Sequence, residues 1–233
     1  MTDMLAVGSN VCAVTLTEEL VCLDAHSGAE RLRFETGSKN EKWFRTSSPA
    51  SGNGRIYLGT VDGKMFAVDA ASGQPVWKAM LSERISTSVT ALPSRILAGT
   101  ADGRVHALDP SDGRVLHVSK VGLNLAPGAP DVDDDLFVYL SLPRQLVALD
   151  AELMTLWQRP LPNDASTLRG PIRTRDAVLV GVDDGRILAF RRSDGVPLWS
   201  WKLENRASSL TYNDAVLFVG TSKGTVYAIQ AAE

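Results

Sequence analysis

"YLGTVDGKMFAVDAASGQPVW" runs from Tyr57 to Trp77, and "LAGTADGRVHALDPSDGRVLH" runs from Leu97 to His117. The second is a worn copy of the first, 40 positions further on. Anchoring on the Asp that ends "FAVD" extends the series. The anchors are Asp24 in "LVCLD", Asp69 in "MFAVD", Asp109 in "VHALD" and Asp150 in "LVALD", then Arg191 in "ILAFR" and Gln230 in "VYAIQ". They are separated by steps of 45, 40, 41, 41 and 39 residues. Six copies at about 40 residues each fall in the range of propeller blades.

Each copy follows one plan. A short apolar stretch comes first, such as "RIYLGT", "RILAGT" or "AVLVGV". A tight turn follows, Asp-Gly in three copies and Lys-Gly in "SKG". A second apolar stretch leads to a polar turn holding a Gly, and then to a strand with an aromatic residue. Apolar runs of this length, rich in Val, Ile and Leu and bounded by Gly and Asp, read as β-hairpins. No long window has a helical apolar period, so almost no helix is expected.

The hairpins can be registered from the side chains. If Val61-Asp62-Gly63 is a three-residue loop with Gly63 in the left-handed conformation, Tyr57 lies opposite Ala67. The same arithmetic pairs Leu97 with Ala107, Val138 with Ala148, Leu179 with Ala189, and Phe218 with Ala228. A bulky residue faces an alanine each time, which is volume-complementary packing. In the first copy the pair is Cys12 and Cys22. Strands apolar at consecutive positions have both faces covered. Radial packing of small sheets does this while keeping edges short.

These residues resemble the repeat of the quinoprotein-type (PQQ-like repeat) β-propellers, which include the BamB-like proteins. Their tryptophan-docking motif is roughly Ala-x-Asp-x-x-x-Gly-x-x-x-Trp. It is complete here as Ala67, Asp69, Gly73 and Trp77. It is nearly complete as Ala189, Gly195 and Trp199, with Arg191 in place of the Asp. The fourth copy keeps Ala148 and Asp150, has Met154 for the Gly, and places Trp157 one residue early. The third keeps Gly113 but ends in His117, and the first has Leu32.

The expected fold is therefore an all-β, six-bladed propeller of four-stranded antiparallel blades, the last lacking its outer strand. Residues 1–233 form a single domain on this reading, with blades at approximately 1–36, 45–81, 85–121, 124–161, 169–203 and 207–233. Trp77, Trp157, Trp199, Gly73, Gly113 and Gly195 are expected to be structural, packing blade against blade.

Composition narrows the function. The chain is 44% hydrophobic and 22% charged, with formal charge −3. Lys and Arg are dispersed, so the basic face that nucleic-acid binding needs is not indicated. No apolar run approaches the ~18 residues of a membrane helix, and membrane insertion is not expected. The N-terminus has no basic n-region. The expectation is a cytoplasmic protein, or a periplasmic one if a leader has been removed. Cys12 and Cys22 are then read as reduced, small core residues, since cytosolic thiols stay reduced.

Chemistry is scarce. "DVDDD" at 131–135 lacks the Gly and Glu of an EF-hand loop, having Leu136 and Leu142 there, and reads as a solvated A–B turn. His26, His106 and His117 form no metal-binding spacing. No Gly-x-Ser-x-Gly elbow or Ser/His/Asp order is present. The resemblance implies one rival, an enzyme binding pyrroloquinoline quinone with calcium, but no residue set here maps onto those roles. No cofactor, metal or catalytic residue is expected. A third reading is a fragment that completes its ring with another chain.

The candidate site is a binding surface for a protein or an acidic peptide. Arg45, Arg84, Arg169 and Arg206 precede the inner strands of four copies, and Asn124 holds that place in another. Arginines gathered on the face of the Asp-Gly turns would attract an anionic group. The plainer reading pairs them with Asp62, Asp102 or Asp184. Trp43 and Phe44 lie in the one connector with extra length, where function tends to be added. The leading hypothesis is a non-enzymatic scaffold or sensor within a larger assembly.

Overall fold

The computed structural model describes residues 4–39, 47–125, 130–132, 136–142, 144–162 and 169–230. The chain divides into two compact units, Met1–Ala129 and Pro130–Glu233.

The first unit holds three four-stranded sheets. They are β1 (Leu5–Val7), β2 (Asn10–Val14), β3 (Glu19–Asp24) and β4 (Glu30–Glu35); β5 (Ala50–Gly52), β6 (Arg55–Gly59), β7 (Lys64–Asp69) and β8 (Pro75–Met80); and β9 (Thr90–Ala91), β10 (Ile96–Gly99), β11 (Arg104–Leu108) and β12 (Val115–Lys120). The last strand of this unit is β13 (Asn124–Leu125).

The second unit begins with β14 (Asp131–Val132), β15 (Phe137–Leu142), β16 (Gln145–Leu149) and β17 (Thr155–Pro160). The next sheet is β18 (Arg169–Arg173), β19 (Ala177–Gly181), β20 (Arg186–Arg191) and β21 (Pro197–Lys202). The last has three strands, β22 (Ala207–Asn213), β23 (Val216–Thr221) and β24 (Val226–Gln230). Within each sheet, neighbours in sequence pair antiparallel. No helix occurs among the described residues. The architecture is thus all-β with six blade sheets, the sixth without its outer strand.

The hairpin registers are those expected from side-chain volume. Tyr57 opposes Ala67, Leu97 opposes Ala107, and Val138 opposes Ala148. Leu179 opposes Ala189, Phe218 opposes Ala228, and Cys12 opposes Cys22. The second blade's B–C turn is a three-residue loop: Thr60 N–H donates to Lys64 O at 2.9 Å, and Gly63 sits at φ 83°. Gly103, Gly185 and Gly224 repeat this left-handed position at φ 79°, 88° and 83°. Two blades fill it with side chains instead, Glu18 at φ 64° and Arg144 at φ 53°.

Cys12 and Cys22 are not free thiols. A disulfide joins them, S–S 2.07 Å with Cα atoms 4.0 Å apart, which corrects the reduced reading. The register is the reason: directly opposed residues bring the two sulfurs together where other blades set a bulky residue against Ala.

Blades pack by one repeated contact. In the first unit the Tyr57–Ala67–Trp77 face of one blade covers Ile96, Ala98 and Leu108 of the next. The Cys12–Cys22–Leu32 face covers Ile56, Leu58, Phe66 and Val68 in the same way. In the second unit Leu179 and Ala189 pack with Leu217 and Val219. The docking residue then reaches the following blade's C–D turn. Trp77 Nε1–H donates to Pro110 O at 2.9 Å, and a Cβ at Gly113 would lie 2.6 Å from the indole. Trp157 Nε1–H donates to Arg192 O at 2.9 Å, with Gly195 equally tight beneath its ring. Leu32 lies over Gly73 in the same manner.

The early position of Trp157 has a simple cause. Its C–D turn is one residue shorter, closing with Asp150 N–H on Met154 O and with Leu153 left-handed at φ 62°. The shortening restores register, so Ala148 opposes Trp157 as Ala67 opposes Trp77. Trp199 departs from the expected packing role. It opposes Ala189 as the motif requires, yet it is 47% exposed, against 8% for Trp77 and 5% for Trp157. The last sheet presents it with no C–D turn among the described residues.

Candidate functional site

The B–C turns carry the densest chemistry. Asp62 accepts from Thr60 Oγ1 at 2.6 Å and Ser38 Oγ at 2.8 Å, and pairs with Lys64 Nζ at 2.6 Å. Burial pushes its carboxyl up, but the hydrogen bonds from Lys64, Thr60 and Ser38 outweigh this and hold it at about 2. Asp102 is built alike, with Thr100 Oγ1 at 2.6 Å, Ser82 Oγ at 3.1 Å and an ion pair to Arg104. Asp184 pairs with Arg186, and Lys202 Nζ donates to its carbonyl. A cation two residues after each Asp clamps the turn.

Lys64, Arg104 and Arg186 pair with Asp62, Asp102 and Asp184. Arg206 instead reaches Asp183, with Nη1 3.6 Å from Oδ1, while its side chain stays about half exposed. Two connectors are tied to the turns beside them. Ala101 N–H donates to Arg84 O at 2.8 Å, and Ser222 N–H donates to Arg206 O at 2.9 Å. Arg84 N–H donates to Glu83 Oε1 at 2.8 Å. Arg169 begins β18 opposite Gly181, and Asn124 begins β13. Trp43, Phe44 and Arg45 lie outside the described residues, as does the Arg169 side chain. In "DVDDD", Asp131 opens β14 opposite Val138, and 133–135 are outside the described set.

Two buried groups were not legible beforehand. Glu18 fills the left-handed turn position of the first blade and is fully buried. One carboxyl oxygen accepts Val61 N–H at 3.2 Å, and the other has no partner among the described residues. Burial pushes its pKa up to about 7; the Val61 N–H opposes this and the Asp62 charge adds to it.

His106 is the second. Its Nε2 lies 3.2 Å from Thr100 Oγ1 and 3.3 Å from Ser82 Oγ. Its Nδ1 has no partner among the described residues, and burial pushes the imidazole pKa down. Ser82, His106 and Asp102 therefore meet in space. Asp102 binds the two hydroxyls rather than the imidazole, so the orienting carboxylate of a Ser-His-Asp relay is not in place.

In the second unit, Trp199, Trp201, Tyr212, Leu217 and Ile229 line an apolar cavity of about 480 Å³. Trp201 meets Tyr227 edge-on with centroids 5.4 Å apart.

The sequence matches the family described as outer membrane protein assembly factor BamB, over residues 2–124, 37–164 and 118–233. The chain belongs to this family. Among solved structures it is similar to the computationally designed Ika8 protein, with TM-score 0.82 and 15% identity, covering 99% of this chain and 70% of that one. It is also similar to BamB from Moraxella catarrhalis, with TM-score 0.63 and 21% identity, covering 96% and 82%. No curated protein matches the sequence. At these identities the structural likeness speaks for the fold alone.

The quinone-enzyme reading can be tested on the donor set. Calcium needs several oxygen ligands held together. Among the described residues no group of three or more His, Cys, Asp or Glu side chains could hold a metal ion. The described residues therefore offer no carboxylate cluster for that ion.

Proposed function

We propose that the chain is a non-enzymatic binding scaffold that recognises a protein or an acidic peptide through its B–C turns. The observation that carries this is the repeated clamp. Aspartates at 62, 102 and 184 are locked by Lys64, Arg104 and Arg186, and the connector carbonyls of Arg84 and Arg206 are tied to the turns beside them. Loops held this way are pre-organised, which lowers the ordering cost of binding. Arg206 supports an anionic partner: its 3.6 Å contact with Asp183 is long and half in water, so a carboxylate could compete for it.

Membership of the assembly-factor family supports a place in a larger assembly, and by its name one concerned with outer-membrane proteins. The Cys12–Cys22 disulfide favours an oxidising compartment over the cytoplasm. Affinity capture by the chain, beside a variant with Arg45, Arg84, Arg169 and Arg206 changed to Ala, tests the reading. Loss of a partner in a folded variant supports it; equal retention refutes it.

A further inference from the structure

The fifth blade breaks the repeat where four others keep an acceptor. Asp24, Asp69, Asp109 and Asp150 each use Oδ1 to accept a backbone N–H of their own C–D turn, from Ser27, Ser72, Ser111 and Met154 at 2.8 Å. Arg191 stands at that place in the fifth blade, and its side chain can only donate. The turn closes without it. Gly195 N–H donates to Arg191 O at 2.8 Å, as Gly73 N–H donates to Asp69 O at 2.9 Å. Asp194 takes over the capping, with Oδ1 accepting Val196 N–H at 3.0 Å. Turn formation therefore leaves the guanidinium unexplained. Its Nη1 lies 3.0 Å from Asp194 Oδ2, in a pair about half in water that holds it weakly.

Arg191 lines a groove of about 640 Å³ that lies wholly within the second unit. The lining combines Arg175, Arg191 and Arg192 with Leu136, Leu156 and Leu198, and holds Asp176 as its acidic residue. Arg192 N–H donates to Asp176 O at 2.9 Å, so the arginines sit on two turns tied together. Leu156 and Leu198 are 51% and 42% exposed. The strands that carry them, β17 and β21, each end their sheet.

We propose that this groove binds an extended peptide segment of a partner protein, one that carries a carboxylate close to an aliphatic side chain. The carboxylate meets Arg175 and Arg191, and the aliphatic side chain lies on Leu156 and Leu198. Charge sets the sign, since three arginines face one aspartate in the lining. A guanidinium matches a carboxylate with two parallel hydrogen bonds. The outer strands decide for a peptide over a lipid-like chain. A strand that ends its sheet offers backbone groups that an extended peptide pairs with and an alkyl chain does not. The site lies at the C–D end of the fifth blade and does not rest on recognition through the B–C turns.

The probe is the synthetic peptide acetyl-Asp-Thr-Leu-Thr-Leu-Thr-Asp-amide, which presents a carboxylate in either strand direction. Titrated into the isotope-labelled full chain, it should give saturable NMR shifts at the amides of Asp176, Arg191, Arg192, Ser193 and Leu198. A peptide with Lys for Asp should give none, and one with Ser for Leu should bind more weakly. Arg191→Asp restores the residue that four other blades use, so that variant is expected to fold; Arg175→Gln is the second. Each should weaken the acidic peptide at least about 10-fold, as for the loss of a hydrogen bond between charged groups. The Arg45, Arg84, Arg169, Arg206→Ala variant should bind it as the wild type does. No saturable shift at millimolar peptide overturns the proposal. So does equal affinity for the Lys peptide, or binding that both arginine variants keep. Binding lost only in the variant of the four connector arginines would give the peptide to the B–C turns and overturn it as well.

Discussion

Trp157 and Trp199 occupy the same motif position in successive blades of one unit, which makes them a controlled pair. Trp157 is buried, stacks on Gly195 and donates to Arg192 O. Truncating a buried aromatic to Ala costs about 3–5 kcal/mol, and the lost hydrogen bond of about 1 kcal/mol places Trp157→Ala at the upper end. Trp199 is about half in water and has no docking turn among the described residues. A fully buried aromatic covers about 150–250 Å². Half of that, ~100 Å² at ~25 cal/mol per Å², is about 2.5 kcal/mol, and the open site leaves no sealed cavity to add to it. Trp157→Ala should therefore lose about 2 kcal/mol more than Trp199→Ala. Urea unfolding followed by circular dichroism, with midpoints compared at common slope, measures this. Trp77→Ala is the replicate in the other unit, and should resemble Trp157→Ala. A gap under about 1 kcal/mol would refute the claim that the indole contributes chiefly by docking on the next blade's Gly.

Two further predictions concern the first blade. Glu18 has a folded pKa near 7, above its ordinary 4.5, so the folded state holds the proton more tightly. Stability is then greatest below the unfolded value and declines as pH rises from about 4.5 to about 7, by at most ~3 kcal/mol. Glu18→Gln should flatten that stretch of the stability–pH curve relative to wild type; parallel curves would contradict the assignment. The Cys12–Cys22 bridge spans 10 residues, so reduction should cost up to ~3 kcal/mol by the loop-entropy relation. A urea midpoint unmoved by reductant, with alkylation confirming free thiols, would count against it.

Much of the fold was legible because the repeat offers the same evidence six times. Volume pairing of Tyr57 with Ala67 fixes a register that one hairpin alone would leave open, since a one-residue slip would reverse every face. Trp157 looked displaced in sequence, and only the shorter turn around Leu153 explains its return to register. The site was less legible. Trp199 satisfies the motif in its own blade, but docking depends on a turn in the next one. Nothing local in the sequence marks Glu18, because the Val61 turn that meets it lies 43 residues further on. Ser82, Asp102 and His106 come from a connector, a turn and a strand, and only the packing joins them. The cysteines were read from compartment chemistry, whereas their opposed register decides their state.

The measurement that bears most directly on the account is quantitative capture of partners by the wild type and by the Arg45, Arg84, Arg169, Arg206→Ala variant, at low and at high salt. Recognition through the B–C turns predicts a partner held by the wild type, weakened by salt, and lost by a variant whose β circular dichroism is unchanged. A partner held equally by both proteins, at either salt, would contradict it.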